Sequence, residues 1–135
     1  MTTKCKKVEV LTTAIDAELG SLARIYSAFN EAGVNVTASW AYEMGPGQAN
    51  FHCYTTDNTK AKDVLTKMGK SPKAEFACWA EGDDKVGTYA ELLQKIAKAG
   101  INLHATDALS TNGRFATVFF ADQKDIPNLC TALGC

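Results

Sequence analysis

The feature that most constrains this chain is that it repeats itself. The offset that carries Asp16 onto Asp83 also carries Gly20 onto Gly87, Ala23 onto Ala90, Ala32-Gly33 onto Ala99-Gly100 and Asn35 onto Asn102. It holds without a gap through Ala38 and Ala105, Ala41 and Ala108, and Ala49 and Ala116. A two-residue contraction then sets Met68-Gly69 over Leu133-Gly134. Self-similarity at a fixed offset marks a duplicated supersecondary unit. With 135 residues in all, each copy is too small to bury much of its surface alone. The copies are therefore expected to lean on each other or on a second chain.

Both copies have one local grammar. Residues 8–14 are rich in β-formers and lead through Asp16 and Gly20 into a segment where Leu22, Ile25, Phe29 and Ala32 recur at helical spacing. Gly33 stands where a left-handed residue stops a helix. The second copy repeats this with Thr88 as N-cap, then Tyr89, Leu92, Leu93, Ile96 and Ala99 on one face, and Gly100. Strands are expected over Val34 to Glu43 and Ile101 to Ser110, with hairpin turns at Gly45-Pro46-Gly47 and Asn112-Gly113. Returning strands run Gln48 to Thr55 and Arg114 to Ala121, and short helices run Thr59 to Met68 and Lys124 to Leu133, the latter with Pro127 in its first turn.

Each unit thus reads strand, helix, strand, strand, helix. One more strand completes a ferredoxin-like βαββαβ layer, an antiparallel sheet with helices on one face, so the fold class is α+β. Residues 70–81 must close the first unit and open the second, Pro72 splitting them into a short closing piece and a strand from Glu75 to Ala80. The predicted domains are 1–72 and 73–135. The second lacks its last strand, and its exposed edge invites strand exchange between units or chains.

Composition narrows the function. Hydrophobic residues make up 46% and charged residues 21%, enough apolar content for a packed core. Fourteen Lys plus Arg oppose fifteen Asp plus Glu, a net charge of -1. That balance exerts no general pull on nucleic acid or an anionic membrane. No run approaches the roughly 18 apolar residues of a membrane span. Met1 to Lys7 is polar and basic with no long apolar stretch behind it, so no signal peptide and a cytoplasmic location are expected. Cys5, Cys53, Cys78, Cys130 and Cys135 are odd in number and scattered, with no CxxC pair. Free thiols are the reading that follows, with Cys135 exposed, no metal and no cofactor.

Asp16-Ala-Glu-Leu-Gly20-Ser-Leu-Ala23 and Asp83-Asp-Lys-Val-Gly87-Thr-Tyr-Ala90 resemble the signature of ACT domains. The stretches Ala32-Gly33-Val34-Asn35-Val36 and Ala99-Gly100-Ile101-Asn102-Leu103 resemble the segment that follows the first helix in that family. The resemblance covers residues 8 to 134, and small free-standing tandem ACT proteins are the nearest type. It implies a non-catalytic, regulatory amino-acid sensor that works as a homodimer. It places ligand-binding residues at Asp16, Leu19, Gly20, Ser21, Asn35 and Val36, and at Asp83, Val86, Gly87, Thr88, Asn102 and Leu103. The loop glycine lets backbone approach a ligand, and N–H groups at the helix start favour a carboxylate. The stretch holding Asn35 would face the ammonium, and the resemblance implies a site where two units meet side by side. Many relatives carry proline before that glycine where Leu19 and Val86 stand here, which is expected to leave both loops more mobile. Tyr89 replaces Leu22, so the two sites are expected to differ in shape, up to degeneracy of one of them.

Plainer readings stand beside these. Asp16 and Asp83 could cap helices, and Asn35 and Asn102 could satisfy backbone groups. His52 and His104 fall on strands at non-equivalent positions with no acid partner visible in sequence. Trp40, Tyr42, His52 and Tyr54 alternate onto one strand face that could form a subunit interface. Lys60, Lys62, Lys67, Lys70 and Lys73 read as a solvated face. A dimerising domain without a ligand is an alternative function. An RNA-binding module of like topology is another, since Gly113 to Ala121 faintly echoes its aromatic strand. No Walker loop, GxSxG, metal cluster or acid–base pair points to an enzyme.

Overall fold

The computed structural model describes residues 3–135. It contains six strands and four helices: β1 (Lys4–Asp16), α1 (Ser21–Ala32), β2 (Val36–Gly45), β3 (Gln48–Thr55), α2 (Asn58–Lys67), β4 (Lys73–Asp83), α3 (Thr88–Lys98), β5 (Ala105–Thr111), β6 (Arg114–Phe120) and α4 (Ile126–Leu133). A 3-10 turn, Gln123–Asp125, leads into α4, and Pro127 sits in that helix's first turn. The duplicated α+β grammar is therefore present. The strands after the first helices begin later than expected, at Val36 and Ala105, because residues 34–35 and 101–104 are spent leaving the helix.

The chain divides into two compact units, Glu9–Glu75 and Phe76–Cys135, the latter joined by the N-terminal residues through Val8. This differs from a boundary after residue 72. Strand β1 is 13 residues long, and its Lys4–Val8 portion belongs with the C-terminal half of the chain. Among the described residues no strand follows α4, and the N-terminal segment groups with the unit that holds α4. Within that unit Lys7 Nζ lies 4.7 Å from the Phe76 ring centroid. Pro72 precedes β4, which begins at Lys73 and not at Glu75, with no separate closing strand over 70–72, and residues 73–75 belong to the first unit.

In the first unit the strand order is β2-β3-β1, antiparallel, with Leu11 opposite Cys53, Asp16 opposite Gln48 and Trp40 opposite His52. Burial alternates strictly along β3. Ala49, Phe51 and Cys53 go inward to meet Ile25 and Phe29 of α1 and Ala61 and Leu65 of α2. Both helices thus cover one face, and each large side chain buried there contributes about 1.5–3 kcal/mol. Burial also pushes the Cys53 thiol up to about 12, since a thiolate has no solvation in that core. On the other face His52 stacks between Trp40 and Tyr42, with ring centroids 5.4 and 5.5 Å away. Thr12 Oγ1 is 2.8 Å from His52 Nδ1, and Tyr42 Oη is 3.1 Å from Nε2. Of the four residues that alternation placed on this face, Trp40, Tyr42 and His52 are in contact.

The second unit repeats the pattern as β4-β6-β5, antiparallel, with Asp83 opposite Arg114. Its core joins Cys78 and Ala80 of β4, Leu92 and Ile96 of α3, Phe115 and Phe119 of β6, and Leu129 and Leu133 of α4. Phe115 and Phe119 are thus turned into the helix-facing core, which removes the echo of an RNA-stacking strand. Asn112 (φ 50°) and Gly113 (φ 74°) form the β5–β6 turn, the backbone that matches strand twist in a two-residue hairpin.

The cysteines are a clear correction. Cys5 pairs with Cys135 and Cys78 with Cys130, leaving Cys53 free. Their spacing looked too wide for a framework because it is read along the chain, whereas both chain ends belong to one unit. Cys135 is exposed as expected. None of the helices is long and apolar enough to cross a membrane among the described residues.

Candidate functional site

The loop from β1 to α1 decides the shape of the first unit's site. Gly20 precedes α1 with φ 86° and ψ -1°, and Gly87 precedes α3 with φ 91° and ψ -9°. A side chain at such φ values costs about 1–2 kcal/mol, so the glycine is a backbone requirement in both copies. No side chain caps either helix. The capping role considered for Asp16 and Asp83 is therefore excluded, because both are the last residues of strands. Thr88 is likewise the first helical residue, buried, with Gly87 in the cap position. The loops are tied by Ser21 N–H to Glu18 O (3.3 Å) and Arg24 N–H to Gly20 O (3.0 Å), and by Thr88 N–H to Lys85 O (3.2 Å) and Glu91 N–H to Gly87 O (2.9 Å).

An open recess of about 630 Å³ lies on this loop in the first unit. Asp16, Leu19, Gly20 and Ser21, expected from sequence, line it together with Tyr42 and Glu43. A neighbouring recess of about 670 Å³ shares Asp16 and adds Gln48, Asn50 and Lys70. Leu19 is fully exposed at the loop's tip. Glu18 is engaged with Arg24 at 2.8 Å, while Asp16 faces neutral Gln48 across the sheet. Uncapped helix N–H groups favour an anion, and the Asp16 and Glu43 carboxylates favour a cation. The recess therefore offers both poles that a zwitterion needs.

Asn35 and Val36 are not part of it. They follow α1, whose 12 residues span roughly 18 Å at 1.5 Å per residue. The Asn35 carbonyl accepts from Thr56 N–H at 3.0 Å and Thr56 Oγ1 at 3.3 Å, and Val36 pairs with Thr55. Within one unit the ammonium pole expected from Asn35 is thus at the wrong end of the helix. Glu43 was missed because its approach depends on the β2–β3 hairpin curling beside the loop, which no local pattern encodes.

The second copy differs where it matters. Asp83 Oδ1 accepts from Arg114 Nη1 at 2.8 Å, and Arg114 occupies the register position that Gln48 holds in the first unit. Its carboxylate already has a cationic partner. Val86 is fully exposed, Asn102 is exposed and Leu103 is partly buried against the core beyond α3. Tyr89 stacks on Phe119 with a centroid distance of 5.9 Å and holds Thr106 Oγ1 at 2.7 Å. His104 sits in the turn before β5, not on a strand, and is 2.5 Å from Asp122 Oδ1, an acid partner that sequence did not reveal.

No family model and no curated protein sequence matches the chain. Solved structures do share its fold. A protein of Bacteroides thetaiotaomicron has a TM-score of 0.84 at 14% identity, covering 96% of this chain and 88% of that one. The regulatory subunit of aspartate kinase from Thermus thermophilus, in a ligand-free form, has a TM-score of 0.69 at 13% identity and covers 97% and 93%. The corresponding subunit from Thermus flavus has 0.64 at 15%, covering 98% and 95%. At these identities the likeness is one of fold. In fold, the chain is a tandem of two ACT-type units, and these two kinase neighbours are regulatory subunits.

Proposed function

We propose that this chain is a non-catalytic regulatory protein that binds one amino acid at the loop between β1 and α1 of its first unit. The observation that carries this reading is the recess where an uncapped helix start meets Asp16 and Glu43. The ligand carboxylate sits on the first-turn N–H groups of α1, approached closely because Gly20 has no side chain. The ammonium sits against Asp16 and Glu43, and the ligand side chain contacts Leu22. The second unit keeps the loop but has lost the cation-binding pole to Arg114, so it acts as scaffold. The shared fold with aspartate kinase regulatory subunits supports a role in which ligand binding shifts a conformational population that a partner protein reads. The protein works in the cytoplasm as a homodimer, with the open face bearing Trp40, Tyr42, His52 and Tyr54 as the contact between copies.

Mass spectrometry of small molecules released from the purified, desalted protein tests the site. One amino acid at up to one per chain is expected, retained by Asp83→Asn and lost from Asp16→Asn. Equal loss from both variants would contradict a single site in the first unit.

A further inference from the structure

Four of the five cysteines meet in the second unit, although two of them are 130 positions apart in sequence. Each arrives for a separate structural reason. Cys78 lies on the inward face of β4 and is fully buried. Cys130 is on the core-facing side of α4. Gly134, at φ 84°, reverses the chain after α4, and Cys135 N–H then donates to Cys130 O at 2.9 Å, folding the last residue back over the helix end. Cys5 comes from the N-terminal segment and packs against the same core. The sulfurs of Cys78, Cys130 and Cys135 all lie within 4.8 Å of one another, and that of Cys5 is bonded to that of Cys135.

A tetrahedral zinc ion with Zn–S bonds near 2.3 Å spaces its sulfurs about 3.8 Å apart. The Cys78, Cys130 and Cys135 sulfurs lie within 4.8 Å of one another, close to that spacing, and Cys5 is held beside them by its pairing with Cys135. Cys78 and Cys130 form a buried inner wall, while exposed Cys135 leaves a route of entry. Four thiolates without a competing hard donor select a soft ion that accepts tetrahedral geometry. A reducing compartment, where disulfides are rare, is where such a set would be held as thiolates.

We propose that Cys5, Cys78, Cys130 and Cys135 form a redox-gated tetrathiolate site for one zinc ion. Oxidised, they are the two disulfides Cys5–Cys135 and Cys78–Cys130. Two dithiol molecules reduce them by exchange: each dithiol gives up two electrons and two protons to one disulfide and leaves as its own disulfide. The zinc ion then forms four Zn–S bonds and releases four protons to solvent, with no change in its own oxidation state. Both states clasp the Lys4–Val8 segment to the unit whose own chain ends at α4. The site is independent of the amino-acid reading.

The full chain, reduced with a dithiol and freed of it anaerobically, is titrated with Co²⁺ as an optical probe and then with Zn²⁺. The expected result is tetrahedral thiolate–cobalt absorption that saturates at one ion per chain and is abolished by one equivalent of zinc. Cys53→Ser should leave the signal unchanged, and Cys135→Ser should lose the four-sulfur spectrum. Cys5→Ser, outside the folded helix end, is the second variant should Cys135→Ser fail to fold, and the same loss is expected. Peroxide treatment of the zinc form should release the ion and lower the chain's mass by four hydrogens. A reduced chain with five titratable thiols and no thiolate–cobalt absorption would overturn the proposal. So would a full wild-type spectrum in both Cys5→Ser and Cys135→Ser.

Discussion

Replacing Gly20 by alanine separates the two things the loop glycine does. At φ 86° a Cβ costs about 1–2 kcal/mol of backbone strain. Alanine also stiffens the unfolded chain, which returns part of that, about 0.4–1 kcal/mol. The added Cβ would meet Arg24 Nη1 at 3.3 Å, but that is the tip of an exposed side chain and can swing away. The net loss is therefore about 1 kcal/mol, a fall in melting temperature of roughly 3–5 °C for a chain of this size. Gly87 has φ 91° and nothing within 4 Å of its would-be Cβ, so Gly87→Ala should cost the same within error. Ligand affinity should part the two variants, because only Gly20 lines the first-unit recess. Urea titration followed by circular dichroism gives the stability arm, and calorimetric titration with the bound amino acid gives the other. A neutral or stabilising Gly87→Ala would refute the strain reasoning. Equal loss of affinity in both variants would refute the assignment of the site.

Asn58 braces the start of α2: its Oδ1 accepts from Thr55 N–H at 3.1 Å and Thr55 Oγ1 at 2.7 Å, and its Nδ2 donates to Glu9 O at 2.7 Å. Asn58→Ala removes the acceptor of the buried Thr55 hydroxyl, which keeps only the bond it accepts from Asp57 N–H, and should cost about 2–3 kcal/mol in chemical denaturation; a loss below about 0.5 kcal/mol would show that water replaces the side chain. Cys53 makes a pH prediction. Its folded pKa is raised from 9.0 to about 12, so between those values the unfolded chain loses a proton that the folded chain keeps. Its contribution to stability is fully present below pH 9 and declines as pH rises toward 12, by about 1.4 kcal/mol per unit. The difference in slope between wild type and Cys53→Ala, measured by denaturation across that range, should show this; parallel curves would contradict it.

Local patterns revealed most of the scaffold. The α1 boundaries, the β3 span and the Asn112-Gly113 turn follow from spacing and turn chemistry acting over a few residues. Lys4 to Lys7 showed no apolar alternation, and that segment is held by partners that come from the other end of the sequence. The same distance hid the cysteine cluster. At the candidate site, the glycine loop and Asp16 were legible because the repeat displayed them twice. Glu43 was not legible, since it reaches the loop only through the hairpin. The asymmetry between the copies rests on Gln48 against Arg114, two residues whose meaning appears only when register sets them opposite Asp16 and Asp83. Asn35 recurs with Asn102, but recurrence preserves scaffold as well as function, and within its own unit the Asn35 carbonyl serves Thr56.

The amino-acid site is tested most directly by a thermal-shift panel of the twenty common amino acids against the wild type and Asp16→Asn. At a concentration 100-fold above its dissociation constant, a ligand that binds only the folded state adds about 2.7 kcal/mol. The wild type should then show a rise of several degrees for one amino acid or a small related set, absent in Asp16→Asn. A flat response to every amino acid at millimolar concentration would contradict the account and leave the protein as a scaffold of two ACT-type units without a ligand.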